Sequence, residues 1–473
     1  VSANETTASP PLGPLPRGAI ASPERLAMGL RTAGQSLLLE EYDNILSCIR
    51  CGLCLTSCPT YVLTGHEAEG PRGRIAMARA LVEGHLALTE DLVTHEQNCL
   101  VCDACTAVCP AGVHMDPLQV ALRAAIEPQR KRPVRERTLR YLVFRKLFPD
   151  MGAFRLLVRL IWLYQRSGLQ WLARTLGLLR LTGLAKTEAF LPPVSSRFLV
   201  PSGEVYPASS GSARTVGNAG SAESAGSTGS GTPVAFFAGC VMSTALAETD
   251  RATIRVLQRA GCDVVNTAGQ GCCGALNAHG GDLPAALDLA RRNIVAFEIS
   301  DSPIVVNSAG CGAMLKDYGH HFRDDPAWSA RATVFSQRVR DATEMLSDRA
   351  LPLSSQAAAK PLRVTYQEPC HLAHAQRIRQ QPRDLLRSIP GVTLVEMDES
   401  TLCCGSAGIY NVTNPKESGQ LQQRKLDNAL ATQPDVIATA NPGCQLQLQC
   451  GLRARGSSVQ VKHIVDLLDE ATG

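Results

Sequence analysis

Residues 48–59, CIRCGLCLTSCP, recur at residues 99–110 as CLVCDACTAVCP, and the fold of the N-terminal region follows from that recurrence. Each run sets three cysteines at three-residue spacing, with a fourth beyond and a proline after it. Thiolates in this pattern wrap three around one [4Fe-4S] cubane and send the fourth to a second cubane. One cluster then takes Cys48, Cys51, Cys54 and Cys109, and the other takes Cys99, Cys102, Cys105 and Cys58. Pro59 and Pro110 stop a regular ladder and turn the chain between the two. Zinc also accepts four thiolates, but it usually draws on two separated ligand pairs rather than on a run of three.

A chain of 473 residues exceeds one compact core, so two to four domains are expected. Aromatic residues make up only 4% and the net charge is +4, which gives no support to a nucleic-acid partner. Eighteen cysteines in a chain this long, with no apolar leader among the first residues, point to a reducing cytoplasm. Clustered cysteines there are metal ligands or redox groups rather than disulfides. The most apolar stretch, Phe154 to Ala185, is interrupted by Arg155, Arg159, Arg166, Arg174 and Arg180, so no membrane span is expected. From Arg130 to Lys186 there are 14 Lys or Arg against Glu136 and Asp150 alone. Two readings of this segment stand side by side: an amphipathic stretch lying on the inner face of the cytoplasmic membrane, or helices packed on the cluster domain with solvated arginines.

Ten further cysteines lie beyond residue 239. Cys240, the pair Cys272 and Cys273 with Gly274, and Cys311 return as Cys370, the pair Cys403 and Cys404 with Gly405, and Cys444. The offsets are 130, 131 and 133 residues, regular enough to indicate two copies of one domain. In each copy apolar runs (VAFFAG and PIVVNSAG, then LRVTYQ and DVIATANPG) alternate with helical patterns (ATIRVLQRAG, then RKLDNALA). That alternation predicts βα units on a parallel sheet, with Cys240, Cys311, Cys370 and Cys444 just past strand ends, where open α/β sheets gather ligands. The eight cysteines of the two copies are candidate metal ligands for a further cluster or for zinc; buried core thiols are the plainer reading. His371 and His374 after Cys370, and His66 and His114 beside the first motifs, are weaker candidates for cofactor or substrate contacts.

The expected organisation is α+β and multidomain. An N-terminal tail (1–38) leads into a helical two-[4Fe-4S] ferredoxin-like domain (39–133) and a basic helical connector (134–200). A Gly/Ser-rich flexible linker (201–233) then leads to two repeated α/β cysteine-rich domains (234–355 and 356–473).

The double cluster motif, Gly70-Pro71-Arg72-Gly73-Arg74-Ile75, the two Cys-Cys-Gly units and the strings SAGCGAMLKDYG and LCCGSAGIY together resemble the iron-sulfur subunits of bacterial glycolate oxidase. The resemblance runs from about Leu39 onward, apart from the linker. It implies an electron-transfer subunit with no catalytic residue of its own, an FAD-bearing partner subunit of glycolate oxidase, and a quinone or other membrane acceptor. Related subunits serve glycerol-3-phosphate and lactate dehydrogenases, and a disulfide reductase of the heterodisulfide type is a further alternative. The wider Cys-Cys-Gly family often ends each domain with Cys-x-x-Cys; Met314 and Gln447 occupy the last position here.

Overall fold

The computed structural model describes residues 34–181, 188–209, 231–354 and 361–473. The N-terminal region is helical. Its core joins Ile75, Ala78, Leu81 and Val82 of helix Pro71–Val82 to Leu118, Leu122 and Ile126 of helix Met115–Ile126. Spacings of three and four residues bring each set onto one helical face. Pro71 opens the first of these helices, where its missing N–H costs nothing. Between them, the Thr89 hydroxyl accepts from the Leu92 N–H and caps helix Glu90–Gln97. Helix Gly34–Glu40 packs across helix Met115–Ile126 with Leu38 fully buried. The tail expected to end at residue 38 therefore includes part of this core; residues 1–33 lie outside the described residues.

Nine strands form two sheets. They are β1 (Val205–Tyr206), β2 (Thr232–Phe237), β3 (Cys262–Asn266), β4 (Ile304–Val306), β5 (Val339–Asp341), β6 (Leu362–Tyr366), β7 (Val392–Val395), β8 (Val436–Thr439) and β9 (Gln460–His463), among the described residues. The first sheet runs β1-β3-β2-β4-β5 and the second β7-β6-β8-β9. Leaving out β1, the two orders are the same, as expected of a duplicated domain. All pairings are parallel except β1 on β3, with Val234 opposite Val264 in the first copy and Val364 opposite Leu394 in the second. Val234, Val264, Ile304, Val364 and Ile437 are all nearly or fully inaccessible, which fits parallel strands covered on both faces.

Composition assigns 201–233 to a flexible linker, and the structure narrows that assignment. Val205 and Tyr206 pair with Val265 and Val264, and the Gly231 and Ala208 N–H groups both donate to the Asp263 carboxylate. A short segment with few apolar residues is ordered here because an open sheet edge supplies its backbone partners. The central part of the linker, 210–230, lies outside the described residues.

The two copies share one core. Val234, Phe236 and Val264 of the first sheet belong to the same buried cluster as Val364, Tyr366, Ile464 and Leu468 of the second copy. The C-terminal helix Ile464–Thr472 packs on helix Ala247–Arg259, where Arg255 and Arg259 both reach Asp469. The His463 Nε2 meets the Asn307 carbonyl oxygen at 2.9 Å. Corresponding strand ends of the copies are thereby brought face to face.

Candidate functional site

Two cavities in the helical region are walled by cysteine. Cys48, Cys51, Cys54, Cys105 and Cys109 line one; Cys58, Cys99, Cys102 and Cys105 line the other, so that Cys105 borders both. Both loops curl in the same way. The third and fifth positions of each run are left-handed: Arg50 (φ 60°) and Gly52 (φ 82°) in the first, Val101 (φ 51°) and Asp103 (φ 62°) in the second. Alternating handedness turns successive N–H groups toward a common centre, an arrangement suited to an anionic group. Accordingly, Val101 N–H donates to Cys99 Sγ and Val113 N–H to Cys109 Sγ, each at 3.4 Å. A β-branched residue at positive φ is strained, and it persists only where its surroundings over-determine it.

The Gly70–Ile75 segment joins these cavities. Pro71 borders both. Arg72 donates to the Arg50 carbonyl and pairs with Glu67. Arg74 is almost wholly buried beside Cys58 and donates to Thr60 Oγ1, to the Glu69 carbonyl and carboxylate, and to the His95 carbonyl. Burial opposes its charge, but the Cys99 and Cys58 thiols and two glutamates outweigh that and raise its pKa. Gly73 has no room for a side chain, since an added Cβ would lie 2.0 Å from the Glu67 carbonyl oxygen. Gly73→Ala is therefore expected to cost about 1–3 kcal/mol or more by forcing the helix off residues 67–69. Urea unfolding measures this, and unchanged stability would show that the helix start shifts freely.

The second thiol loop is not isolated. Leu100, Cys102 and Ala104 pack with Cys370, Cys403, Tyr410 and Leu421 of the second copy. Arg123 ties the helical region to the first copy by donating to the Cys99 and His279 carbonyls.

The eight cysteines of the duplicated domains converge on a single chamber of about 250 Å³ between the copies. Cys240 Sγ lies 3.7 Å from Cys272 Sγ, and Cys370 Sγ lies 3.9 Å from Cys403 Sγ. Hydrogen bonds from neighbouring thiols pull several below the usual thiol range: Cys272 by Cys240 and Cys273, Cys311 by Cys273, Cys370 by Cys403, and Cys404 by Cys403 and Cys444. The same hydrogen bonds, together with burial, push the partner thiols Cys240, Cys273, Cys403 and Cys444 well above that range, so within each tetrad the thiols share protons. Among the described residues no three His, Cys, Asp or Glu side chains close around a point as they would around a single ion. Behind the second tetrad lies Lys425, fully buried, its ammonium donating to the Glu399 and Ser400 carbonyls. Met314 and Gln447 do not border the chamber: Met314 lines a neighbouring cavity, and Gln447 bonds to Ser418 and Asn411.

The histidine candidates separate. His371 Nδ1 lies 3.7 Å from Cys370 Sγ, and its ring stacks on His279. Burial opposes protonation of His371, but the Cys370 thiolate and Asp116 prevail and hold its pKa at about 9. His374 instead meets the Thr401 carbonyl and the Arg379 guanidinium. His66 is exposed and borders none of the thiol cavities, and His114 reaches only the neighbouring polar cavity. That cavity, about 650 Å³, is walled by Glu41, Asp103, Asp116, Asp317, His279 and His371. Asp116 and His279 gave no sequence signal, because each is a lone ionisable residue far from the other in the chain. Cys262 lies in β3, and neither it nor Cys450 lines the chamber.

Family comparisons agree with this layout. Residues 44–113 match a 4Fe-4S dicluster domain, residues 135–191 the linker region of the glycolate oxidase iron-sulfur subunit, and residues 234–316 and 364–449 a cysteine-rich domain. The probable glycolate oxidase iron-sulfur subunit of Bacillus subtilis (strain 168) is 40% identical over 435 residues, covering 91% of this chain and 94% of its own length. The glycolate oxidase iron-sulfur subunit of Escherichia coli (strain K12) is 32% identical over 436 residues, covering 91% and 95%. Lactate utilization protein A of Exiguobacterium sp. (strain ATCC BAA-1283 / AT1b) is 30% identical but aligns with only 50% of this chain.

Proposed function

The chain belongs to the family of glycolate oxidase iron-sulfur subunits, and from that premise we propose that it relays electrons from a flavin-bearing partner subunit toward a quinone. The observation that carries this is the pair of cavities, one walled by Cys48, Cys51 and Cys54 of the first run with Cys105 and Cys109 of the second, the other by Cys99, Cys102 and Cys105 of the second run with Cys58 of the first. Cys48, Cys51, Cys54 and Cys109 would hold one [4Fe-4S] cluster; Cys99, Cys102, Cys105 and Cys58 would hold the second. Such clusters take up and release electrons one at a time, at potentials set by hydrogen bonds to sulfur and by solvent exposure.

The chain's own residues set those two quantities differently at the two sites. Cys51 is exposed, with Ile49 and Leu53 standing out beside it at 67% and 59% exposure, an apolar rim fit for docking the flavin subunit. Cys58 and Cys102 are buried, and Arg74 excludes water and places positive charge beside Cys58. The thiol sites thus run from the exposed first cavity through the buried second to the chamber behind Cys370. The tetrads Cys240, Cys272, Cys273, Cys311 and Cys370, Cys403, Cys404, Cys444 supply four sulfurs each, which suits a further iron-sulfur group.

Full-length alignment with glycolate oxidase subunits, against half-length alignment with lactate utilization protein A, favours glycolate over the lactate alternative. Cys51→Ser tests the ligand assignment. Low-temperature electron paramagnetic resonance should show one reduced-cubane signal perturbed and a second retained. Two unchanged signals would remove Cys51 from the ligand set.

A further inference from the structure

The connector between the cluster domain and the duplicated domains is apolar on two opposite faces. In helix Met151–Arg166, Phe154 and Val158 face inward and pack with Phe144, Phe148, Cys240, Cys272 and Leu289, against the wall of the thiol chamber. On the opposite side, Leu156, Leu160 and Leu163 form a second stripe at helical spacing, 58%, 55% and 53% exposed. In the next helix, Leu169–Thr175, Leu172 and Trp171 are also exposed, Trp171 at 69%. A helix on a soluble surface ordinarily turns one apolar stripe inward and a polar face outward. The outer stripe therefore needs a partner of its own.

The charges around it indicate which kind. The three acids of the connector are engaged, Asp150 in capping helix Met151–Arg166, Glu136 with Arg132 and Glu188 with Arg174. Arg135, Arg137, Arg155 and Arg166 make no ion pair among the described residues. Leucine and tryptophan flanked by unpaired arginines fit a surface carrying diffuse negative charge above an apolar interior. The 16-residue helix, about 24 Å long, is too short and too charged to cross a bilayer, and no described helix is apolar enough to do so.

We propose that the outer face of residues 134–176 lies on an anionic lipid surface, with the thiol chamber one helix beneath it. This rests on the reading that the acceptor is a membrane-borne quinone, since the docked face would bring that acceptor's medium to within one helix of Cys240 and Cys272.

Sedimentation of the full chain with vesicles tests the proposal, comparing phosphatidylglycerol mixed with phosphatidylcholine against phosphatidylcholine alone. Binding should favour the anionic vesicles, weaken with salt, and fall about tenfold or more in Leu160→Ser/Leu163→Ser and in Arg155→Glu/Arg166→Glu. Equal binding to both vesicle types, no binding, or full retention by both variants would overturn it. So would loss of association with the flavin subunit in the variants when the parent chain ignores vesicles, because the face would then be a protein interface. Glycolate turnover with a soluble dye, measured on the same complexes, reports the electron relay independently of lipid. Normal dye turnover without vesicle binding defeats the lipid face alone, and absent dye turnover with vesicle binding defeats the relay alone.

Discussion

Cys102→Ser should lower glycolate-dependent quinone or dye turnover of the assembled complex by more than about tenfold while leaving flavin reduction by glycolate near its normal rate. Losing a metal ligand costs at least as much as losing the partner that orients one, for which 10- to 100-fold is usual. Cys102 is buried in the second cavity and packs with Cys370 and Cys403, so it stands where the helical region meets the thiol chamber. Serine preserves the shape but supplies a hydroxyl, which stays protonated where a thiol becomes thiolate. Flavin reduction needs only substrate and flavin, whereas reoxidation through this chain needs the second site intact. Stopped-flow reduction followed by steady-state turnover separates the two. Equal loss in both steps would mean the substitution disrupts assembly rather than transfer.

Arg74→Met should have the largest effect on stability, about 3–5 kcal/mol, the cost of removing one partner from a buried ion pair. Arg74 and Glu69 meet at 2.7 Å with almost no exposure, and the same guanidinium satisfies Thr60 Oγ1 and two carbonyls. His95 and Asn98 still reach the Glu69 carboxylate in the variant, which places the loss toward the lower end of that range. Methionine also removes the positive charge beside Cys58 and Cys99, so any second cluster that survives should be harder to reduce. Urea unfolding gives the first quantity, and a redox titration followed by electron paramagnetic resonance gives the second. A shift to easier reduction would contradict the assigned electrostatics.

The parts legible in the sequence are those written in local spacing. Three-residue cysteine ladders, the Cys-Cys-Gly pairs and the apolar runs that became β2, β4, β6 and β8 all act within a few residues of themselves. Strands β5 and β9 carry polar residues such as Arg340 and Lys462 and pair only because a neighbour presents an edge, so no run announced them. The convergence of both tetrads on one chamber depends on helix Ile464–Thr472 docking on the first copy, a contact across more than 200 residues. The His371–His279 stack and the buried Lys425 likewise arise from packing between distant segments. The amphipathic connector was visible as charge and leucine, but only the structure shows that its apolar residues divide between two opposite faces.

The most direct test of the relay is to mix glycolate and quinone with the flavin partner, with and without this chain, and follow flavin absorbance and quinone reduction together. The account predicts that the partner alone reduces its flavin and stops, that adding this chain restores quinone reduction, and that this chain alone leaves glycolate untouched. Quinone reduction at the full rate by the flavin partner alone, or glycolate oxidation by the isolated chain, would contradict it.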